Sequence, residues 1–515
     1  MKGKKKTALL KSVVFVLGLL LFAPFAKAGG ECGMHTTNQE ANLILQEREL
    51  RKQMISMMKG GDEGETIYIP VTAHIICDNQ GRQCYSEFDL YELMCEVNAY
   101  FAPANMYLYL KGDVRYVNDQ SLFWTYFQNE LYDIIDRHMK ASYVDSTLNI
   151  YFCNFFPNAR GDNLCGAAPF PFMDLQYFNG RPAGVVMNKT CSQKGEKTLP
   201  HELGHHFNLL HTFQGSSSNS ATFREHVTRE VSLRNCETAG DGFCDTEADT
   251  LFYRCPYNGT AKDLRGEALR PDETLLMSYY SDECVNRFSP EQLEEIRSVA
   301  YSDPRRNLYR FNNQGTPNTT SINGIAVSMQ SPANNANVPW NNINFSWRRI
   351  ADANKYIVAI FDASNGNRIA DIATKDTSIT FRFDNNSVVG KRYNWRVYPF
   401  REGNMCFTPI FTRTFTASQA TSVAQNFLDA SSLLLFPNPA YGPSEVKLIF
   451  NGERTAEASL SIVDMSGRMM MNEVVFLRQG ANEIVIPAGN LSSGIYTISL
   501  QDYSGIISRK LIVQQ

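Results

Sequence analysis

Apolar and polar positions alternate along this chain in more than one rhythm. From residue 66 to about 300, strand-length apolar runs are interleaved with stretches of helical spacing. Thr66–Ile76, Leu148–Phe152 and Gly184–Met187 are short and largely apolar, as buried strands are, and Tyr107–Val117 alternates apolar with polar residues. Ser86–Phe101 sets Phe88, Leu90, Leu93, Met94 and Val97 at helical spacing. Ser121–Lys140 reads as a second helix, and PEQLEEIRSVA (290–300) as a closing one. Helices and strands mixed in this way predict a twisted sheet backed by two helices. Beyond a polar linker at Asn312–Asn323 the period becomes two. Residues 325–416 hold short alternating strands around Phe345–Trp347, Tyr356–Phe361, Ile379–Phe383, Tyr393–Tyr398 and Phe411–Phe415. That is the pattern of a β-sandwich, with Trp347, Tyr356 and Trp395 in its core. A second linker near 417–430 leads to a last set of strands joined by hairpin turns.

The first 28 residues stand apart. Lys2, Lys4, Lys5, Lys6 and Lys11 accompany an apolar run, Val13–Phe25, and then Ala26-Lys27-Ala28, the layout of a secretory signal peptide with its cleavage site. Glu31, not a small residue, precedes Cys32, which argues against a lipid anchor there. No other apolar run is long enough to span a bilayer. With 515 residues there is room for three or four domains. The 49 basic and 53 acidic side chains nearly cancel, and the only strong basic run lies in the signal peptide, so nothing points to nucleic acid. Twelve cysteines in an exported chain imply disulfides. Cys77 and Cys84 flank a turn, and Cys236 and Cys244 are close enough to clamp a loop.

The chemistry concentrates in HELGHHFNLLH, residues 201–211, which holds four of the eight histidines. His201 and His205 stand four apart, so on a helix both rings project from one face. His211 cannot join them on a continuing helix, so the chain must turn in between. Three neutral imidazoles leave one position open, the layout of a catalytic zinc site, where a water's pKa falls to about 7. Glu202 sits where it can take that water's proton and pass it to a leaving amine. His206 points off the ligand face and reads as a packing residue. Thr198 is placed to cap the helix, with Pro200 in its first turn. The serine-rich stretch 215–220 reads as an exposed loop.

This motif resembles the metzincin signature HExxHxxGxxH, with a Met-turn downstream at Leu275-Leu276-Met277-Ser278-Tyr279. Asn208 stands where most metzincins have glycine; asparagine is the residue that next best tolerates the left-handed turn required. The resemblance implies that Met277 floors the zinc and that Tyr279 stabilises the oxyanion. The context MSYYSDECVNRFSPEQ, with IPVTAHII, LNIYF, GVVMN and a cysteine-bearing Asp-Thr loop in order before it, narrows the likeness to pappalysin-type metzincins over roughly residues 66–297. It implies a Cys255–Cys284 disulfide, and structural calcium at Asp241, Asp245 and Thr246, although an Asp-Gly turn needs no metal. CGAAPF (165–170) then corresponds to the edge strand above the cleft. Gly166 and Ala167 would let a peptide pair with it, and an ordinary edge strand reads the same. Residues 29–60 look like a pro-segment: a helix with a mixed charged face over Asn38–Lys59, ended by Gly60-Gly61, with Arg51, Lys52 or Lys59 as cleavage sites. Cys32-Gly33 is either a thiolate switch on the zinc, as in some pappalysin-type zymogens, or half of a disulfide. Setting aside Cys32 and Cys406 leaves ten cysteines from Cys77 to Cys284, an even number that favours the switch. The tail, with FPNPA (436–440), Asp464-Met465-Ser466-Gly467-Arg468, Leu491–Tyr496 and Lys510-Leu511-Ile512, resembles the sorting domain of type IX secretion in Bacteroidetes.

The expected architecture is therefore a signal peptide (1–28), a pro-segment (29–60), an α+β metzincin catalytic domain (61–310), a fibronectin type III-like β-sandwich (324–417) and a small C-terminal β-sandwich for sorting (431–515). The expected function is a secreted or cell-surface zinc endopeptidase made as a zymogen. Its partners would be protein or peptide substrates and the secretion machinery, with no transmembrane helix in the mature chain. The alternative is an inactive binding protein or adhesin on the same scaffold, which would have no physical need for Glu202.

Overall fold

The computed structural model describes residues 31–514 except 35, 58–63, 127–130, 157–163, 307–308, 310–315, 323–324, 420–432, 442–444, 453–454, 479 and 503–504. The expected signal peptide at 1–28, Lys59, Gly60-Gly61, most of the second linker and part of the first (312–315 and 323) lie outside the described residues. Two compact units emerge, residues 1–322 with 400–406, and residues 323–399 with 407–515.

The first unit is built on an eight-stranded sheet. In chain order its elements are β1 (Glu31–Cys32), α1 (Asn38–Met57), β2 (Ile67–Cys77), α2 (Glu87–Phe101), β3 (Met106–Leu110), β4 (Arg115–Asn118), α3 (Gln120–Phe123), β5 (Trp124–Tyr126), α4 (Leu131–Ser142), β6 (Leu148–Phe156), β7 (Leu164–Ala167), α5 (Met173–Tyr177), β8 (Val185–Asn188), α6 (Thr198–His206) and α7 (Pro290–Ser302). The strand order is β1-β7-β8-β6-β2-β3, with β4 also on β2 and β5 on β6. Strands β2, β3, β4, β6 and β8 run parallel, and β7 is antiparallel to β8. All of β2 but Tyr68 is buried, as a central parallel strand covered on both faces must be. Helices α2 and α6 pack together; α2 lies against β3, and α6 against β7 and β8.

Local chemistry explains where the chain departs from its apolar pattern. Ser86 caps α2 by accepting from Asp89 N. The stretch 107–117 breaks into β3 and β4 at Gly112, whose φ of +73° no strand residue holds. Ser121–Lys140 is not one helix. Asp119 caps only the single turn α3, and Trp124-Thr125-Tyr126, good β formers, then extend to pair with β6 before α4 begins. Thr198 is not the cap of α6 but its first residue; Lys197 precedes it and gives no side-chain cap. Helix α7 opens with a capping box, in which Ser289 and Gln292 exchange side-chain-to-backbone bonds.

Five disulfides join Cys77–Cys84, Cys95–Cys406, Cys165–Cys191, Cys236–Cys244 and Cys255–Cys284. Cys32 and Cys153 are buried and take part in none of these disulfides. The even number of cysteines from Cys77 to Cys284 is therefore not a set of five internal pairs. Cys406 is not apart from the others but pairs with Cys95, and Cys153 is the second cysteine outside a disulfide. Among the described residues, 207–289 carry no regular helix or strand, and two of these disulfides fasten that stretch.

The second unit contains only sheets and short 3-10 turns among its described residues. Residues 329–418 form a five-stranded and a three-stranded sheet around Phe345, Trp347, Tyr356, Trp395 and Phe415. Residues 434–514 form a three-stranded and a five-stranded sheet around a separate core that includes Leu448, Leu460, Ile498 and Leu511. The architecture is thus a mixed α+β unit followed by β-sheet modules. No helix among the described residues is long and apolar enough to cross a membrane.

Candidate metal centre and active site

Helix α6 is buried along its whole length and carries His201 and His205 on one face. It ends in a Schellman motif: Leu209 N donates to Gly204 O and Asn208 N to His205 O, each at 2.9 Å. Asn208 occupies the left-handed position of that motif, with φ of 75°. The reversal returns His211 to the other two rings. His201 Nε2 and His205 Nε2 lie 3.2 and 3.0 Å from His211 Nε2.

The protons on two of these rings are fixed from outside. A carbonyl only accepts, so His201 Nδ1 donates to Leu276 O at 2.6 Å and His205 Nδ1 to Leu209 O at 2.7 Å. Their Nε2 lone pairs then face inward. Burial holds His201 at a pKa of about 4, and so neutral. Inward lone pairs packed this tightly, each ring oriented by a carbonyl behind it, fit a cation at their centre and suit little else. A fourth donor is present. The ligand atoms of Cys32, His201, His205 and His211 all lie within 4.8 Å of one another, and all four residues are buried. Three imidazoles and a thiol are a zinc donor set. Burial, then the Glu202 charge, push the Cys32 thiol well above its ordinary pKa. A divalent cation among these donors reverses that balance.

Glu202 is fully buried, and neither carboxylate oxygen has a hydrogen-bond partner of good geometry. Burial lifts its pKa to about 8, and the nearby Cys32 thiol and Ala168 amide pull it only partly back. Gly166 is set by this side chain: a Cβ there would lie 2.7 Å from Glu202 Cγ. The backbone of Gly166 is engaged too, because Gly33 N donates to its carbonyl at 2.8 Å, and β1 covers the free edge of β7 in parallel register. Ala167 is buried and pairs with Val186 of β8 on the other side.

Met277 lies under α6. A Cβ on Gly204 would sit 2.3 Å from its Sδ, so the helix can approach the Met-turn only with glycine at that position. The Tyr279 hydroxyl donates to Cys32 O at 3.2 Å, and its ring lies 4.9 Å from that of His211. Thr212 N donates to Met277 O, while the Thr212 and Tyr280 hydroxyls both donate to Asp249, at 2.6 and 3.0 Å. Asp249 thus ties the third histidine's neighbour to the Met-turn, and the sequence reading passed over it. It passed over Arg306 as well, which is fully buried, ion-paired with Asp174 and bonded to His206 O. His206 itself reaches Tyr309 on the far side of the helix. A small pocket beside His201 and Glu202 is lined by Thr198, Leu276, Tyr280, Asp282 and Val285.

Of Asp241, Asp245 and Thr246, two bond to each other and the third is engaged elsewhere. Asp245 accepts from Ser289 Oγ and Glu291 N at the start of α7, and the Thr246 hydroxyl donates to Asp241 Oδ1. No calcium site among the described residues emerges from these three.

Residues 147–300 match the family model described as pregnancy-associated plasma protein-A. The chain carries a pappalysin-like peptidase domain. An extracellular metalloprotease of Verticillium alfalfae is 26% identical over 253 residues, covering 46% of this chain and 79% of that protein. An extracellular metalloprotease of Aspergillus oryzae is 24% identical over 271 residues, covering 46% of this chain and 77% of that one. Pappalysin-1 of Mus musculus is 25% identical over 158 residues, 28% of this chain and only 9% of the mouse protein. Residues 434–514 match the model of a secretion system C-terminal sorting domain. The pappalysin-like domain with its metal-binding cluster is that of a metallopeptidase, and the tail marks a secreted, sorted protein.

Proposed function

We propose that the chain is a secreted zinc endopeptidase produced as a zymogen, with His201, His205 and His211 as zinc ligands and Cys32 as the latency thiol. The observation that carries this reading is the convergence of three imidazole nitrogens and one thiol beside a buried carboxylate that has no hydrogen-bond partner of good geometry. Zinc, when bound, supplies a Lewis acid for the scissile carbonyl and acidifies a water. Glu202 takes the proton and returns it to the leaving amine. The Tyr279 hydroxyl, which now holds the Cys32 carbonyl, would turn to the developing oxyanion. With β1 gone, β7 offers its edge to an extended peptide through Gly166 and Ala167, and the pocket at Leu276 and Asp282 takes a side chain next to the scissile bond. Removal of residues 29–60 is the activating event in this reading. The first 28 residues act as signal peptide, and 324–417 as a fibronectin type III-like spacer before the sorting module.

Cleavage of a denatured protein by the processed enzyme, with and without a zinc chelator, tests the reading. Chelator-sensitive cleavage is the expected result. A zinc-loaded, processed protein that cuts nothing would instead mark an inactive binding protein.

A further inference from the structure

Asparagine is a costly residue at the point where α6 gives way to the loop bearing His211. It is fully buried, holds φ of 75°, and has no freedom to relax toward solvent. A non-glycine residue persists in that region only where its surroundings hold it. Here one contact stands out. Asn208 Nδ2 donates to Glu295 Oε1 of α7 at 3.0 Å, across 87 positions of sequence. Glu295 is itself buried. The same oxygen takes Arg51 Nη1 of α1 at 2.6 Å and lies 3.6 Å from Arg48 Nε.

We propose that Glu295 is a positioning residue for the metal site. It holds the Asn208 amide, and through it the left-handed turn that brings His211 to the other two histidines. A carboxylate suits this task because a charged acceptor binds an amide more strongly than a neutral one. Burying that charge is tolerable because α1 supplies guanidinium groups to the same oxygen. Glutamate is needed because the turn carries asparagine; a glycine there would adopt the turn without help. The inference rests on the reading of His211 as a zinc ligand.

The test uses the zinc-loaded full-length chain and follows release of zinc to an excess of a chromogenic chelator. Glu295→Ala should release zinc about tenfold faster, the usual scale for losing a residue that orients a ligand. Glu295→Gln keeps an acceptor but loses the charge and its pairing with α1, so its release rate should fall between wild type and Glu295→Ala. Asn208→Gly should remove the turn's need for residue 295, so that adding Glu295→Ala speeds release much less in the Asn208→Gly background than in wild type, any remainder coming from the ion pair of Glu295 with α1. Glu295→Met, of similar volume and with no strong acceptor, repeats the first comparison should the alanine variant not fold. Unchanged release from both variants overturns the proposal, as does a tenfold effect that persists in the glycine background. Wild-type protein without stoichiometric zinc would sink this inference and the functional reading together. Stoichiometric zinc without the predicted pattern would sink only the role of Glu295.

Discussion

At the scale of single residues, the most telling group is Glu202. A fully buried carboxylate with no good hydrogen-bond partner is a liability to folding, and it is intelligible where a proton must be moved. Glu202→Ala should therefore keep one zinc per chain and lose peptidase activity by roughly 10²–10⁴-fold, the range for a general base. Zinc analysis beside a cleavage assay checks both halves, and retained activity would remove Glu202 from its role. Gly166 supplies an independent test of the same side chain. A methyl group there meets Glu202 at 2.7 Å, so Gly166→Ala should lower kcat while leaving zinc content intact. An unchanged kcat would mean that the carboxylate has room to shift. These residues differ in how legible they were. The spacing of His201, Glu202, His205 and His211 is a local helical property, visible in sequence. Gly166 was noticed as a small edge residue that would let peptide approach. Its contact with Glu202 comes from α6 packing on β7, which no local pattern encodes.

At the scale of elements, α1 and β1 form a cover held at two distant points. Cys32 and Gly33 pair with β7 over the metal cluster, while Arg48 and Arg51 sit against α7 and the loop at Asp241–Phe243. Arg48 donates to Asp241 O at 2.9 Å and lies 3.8 Å above the Phe243 ring. Arg51 bridges Glu295 and Asp303. Gly242 lies beneath them at φ of +80°, where a Cβ would crowd Leu45 at 2.3 Å and Arg48 at 2.6 Å. Removing one partner from a buried ion pair commonly costs 3–5 kcal/mol. Arg48→Ala, which leaves the candidate cleavage positions Arg51, Lys52 and Lys59 in place, should thus loosen α1 and speed loss of the pro-segment without changing the processed enzyme's kcat/KM. Cys32→Ala should shorten the activation lag through the other attachment. Time courses of processing read by mass spectrometry decide both cases, and a lag untouched in either variant counts against that point of attachment. The sequence showed a helix with a mixed charged face at 38–59. It could not show where the charges go, because Glu295 and Asp303 lie some 250 positions away. The break of 121–140 at Trp124 was hidden for a similar reason. Pairing of β5 with β6 overrides a stretch that reads as helical.

At the scale of the whole molecule, the covalent frame is as informative as the sheet. Four of the five disulfides close short loops, and two of those fasten the irregular stretch between the third histidine and α7. The fifth joins Cys95 of α2 to Cys406 across 311 positions. Sequence spacing gives no hint of such a pair, since two cysteines so far apart meet only through tertiary structure. It has a direct consequence for processing. A single cut anywhere between Cys284 and Cys406 crosses no disulfide but this one. Limited proteolysis in the polar linker around 312–323 should therefore leave one band on a non-reducing denaturing gel and two after reduction. In Cys95→Ser the same cut should give two bands without reductant. A cut in the later linker, 417–430, lies beyond Cys406 and should free the sorting module under either condition. If the first cut separates the fragments without reductant, the bridge does not form in the secreted protein, and the strand end at 400–406 is held to the peptidase unit by packing alone, including Tyr91 against Phe400 at 4.1 Å.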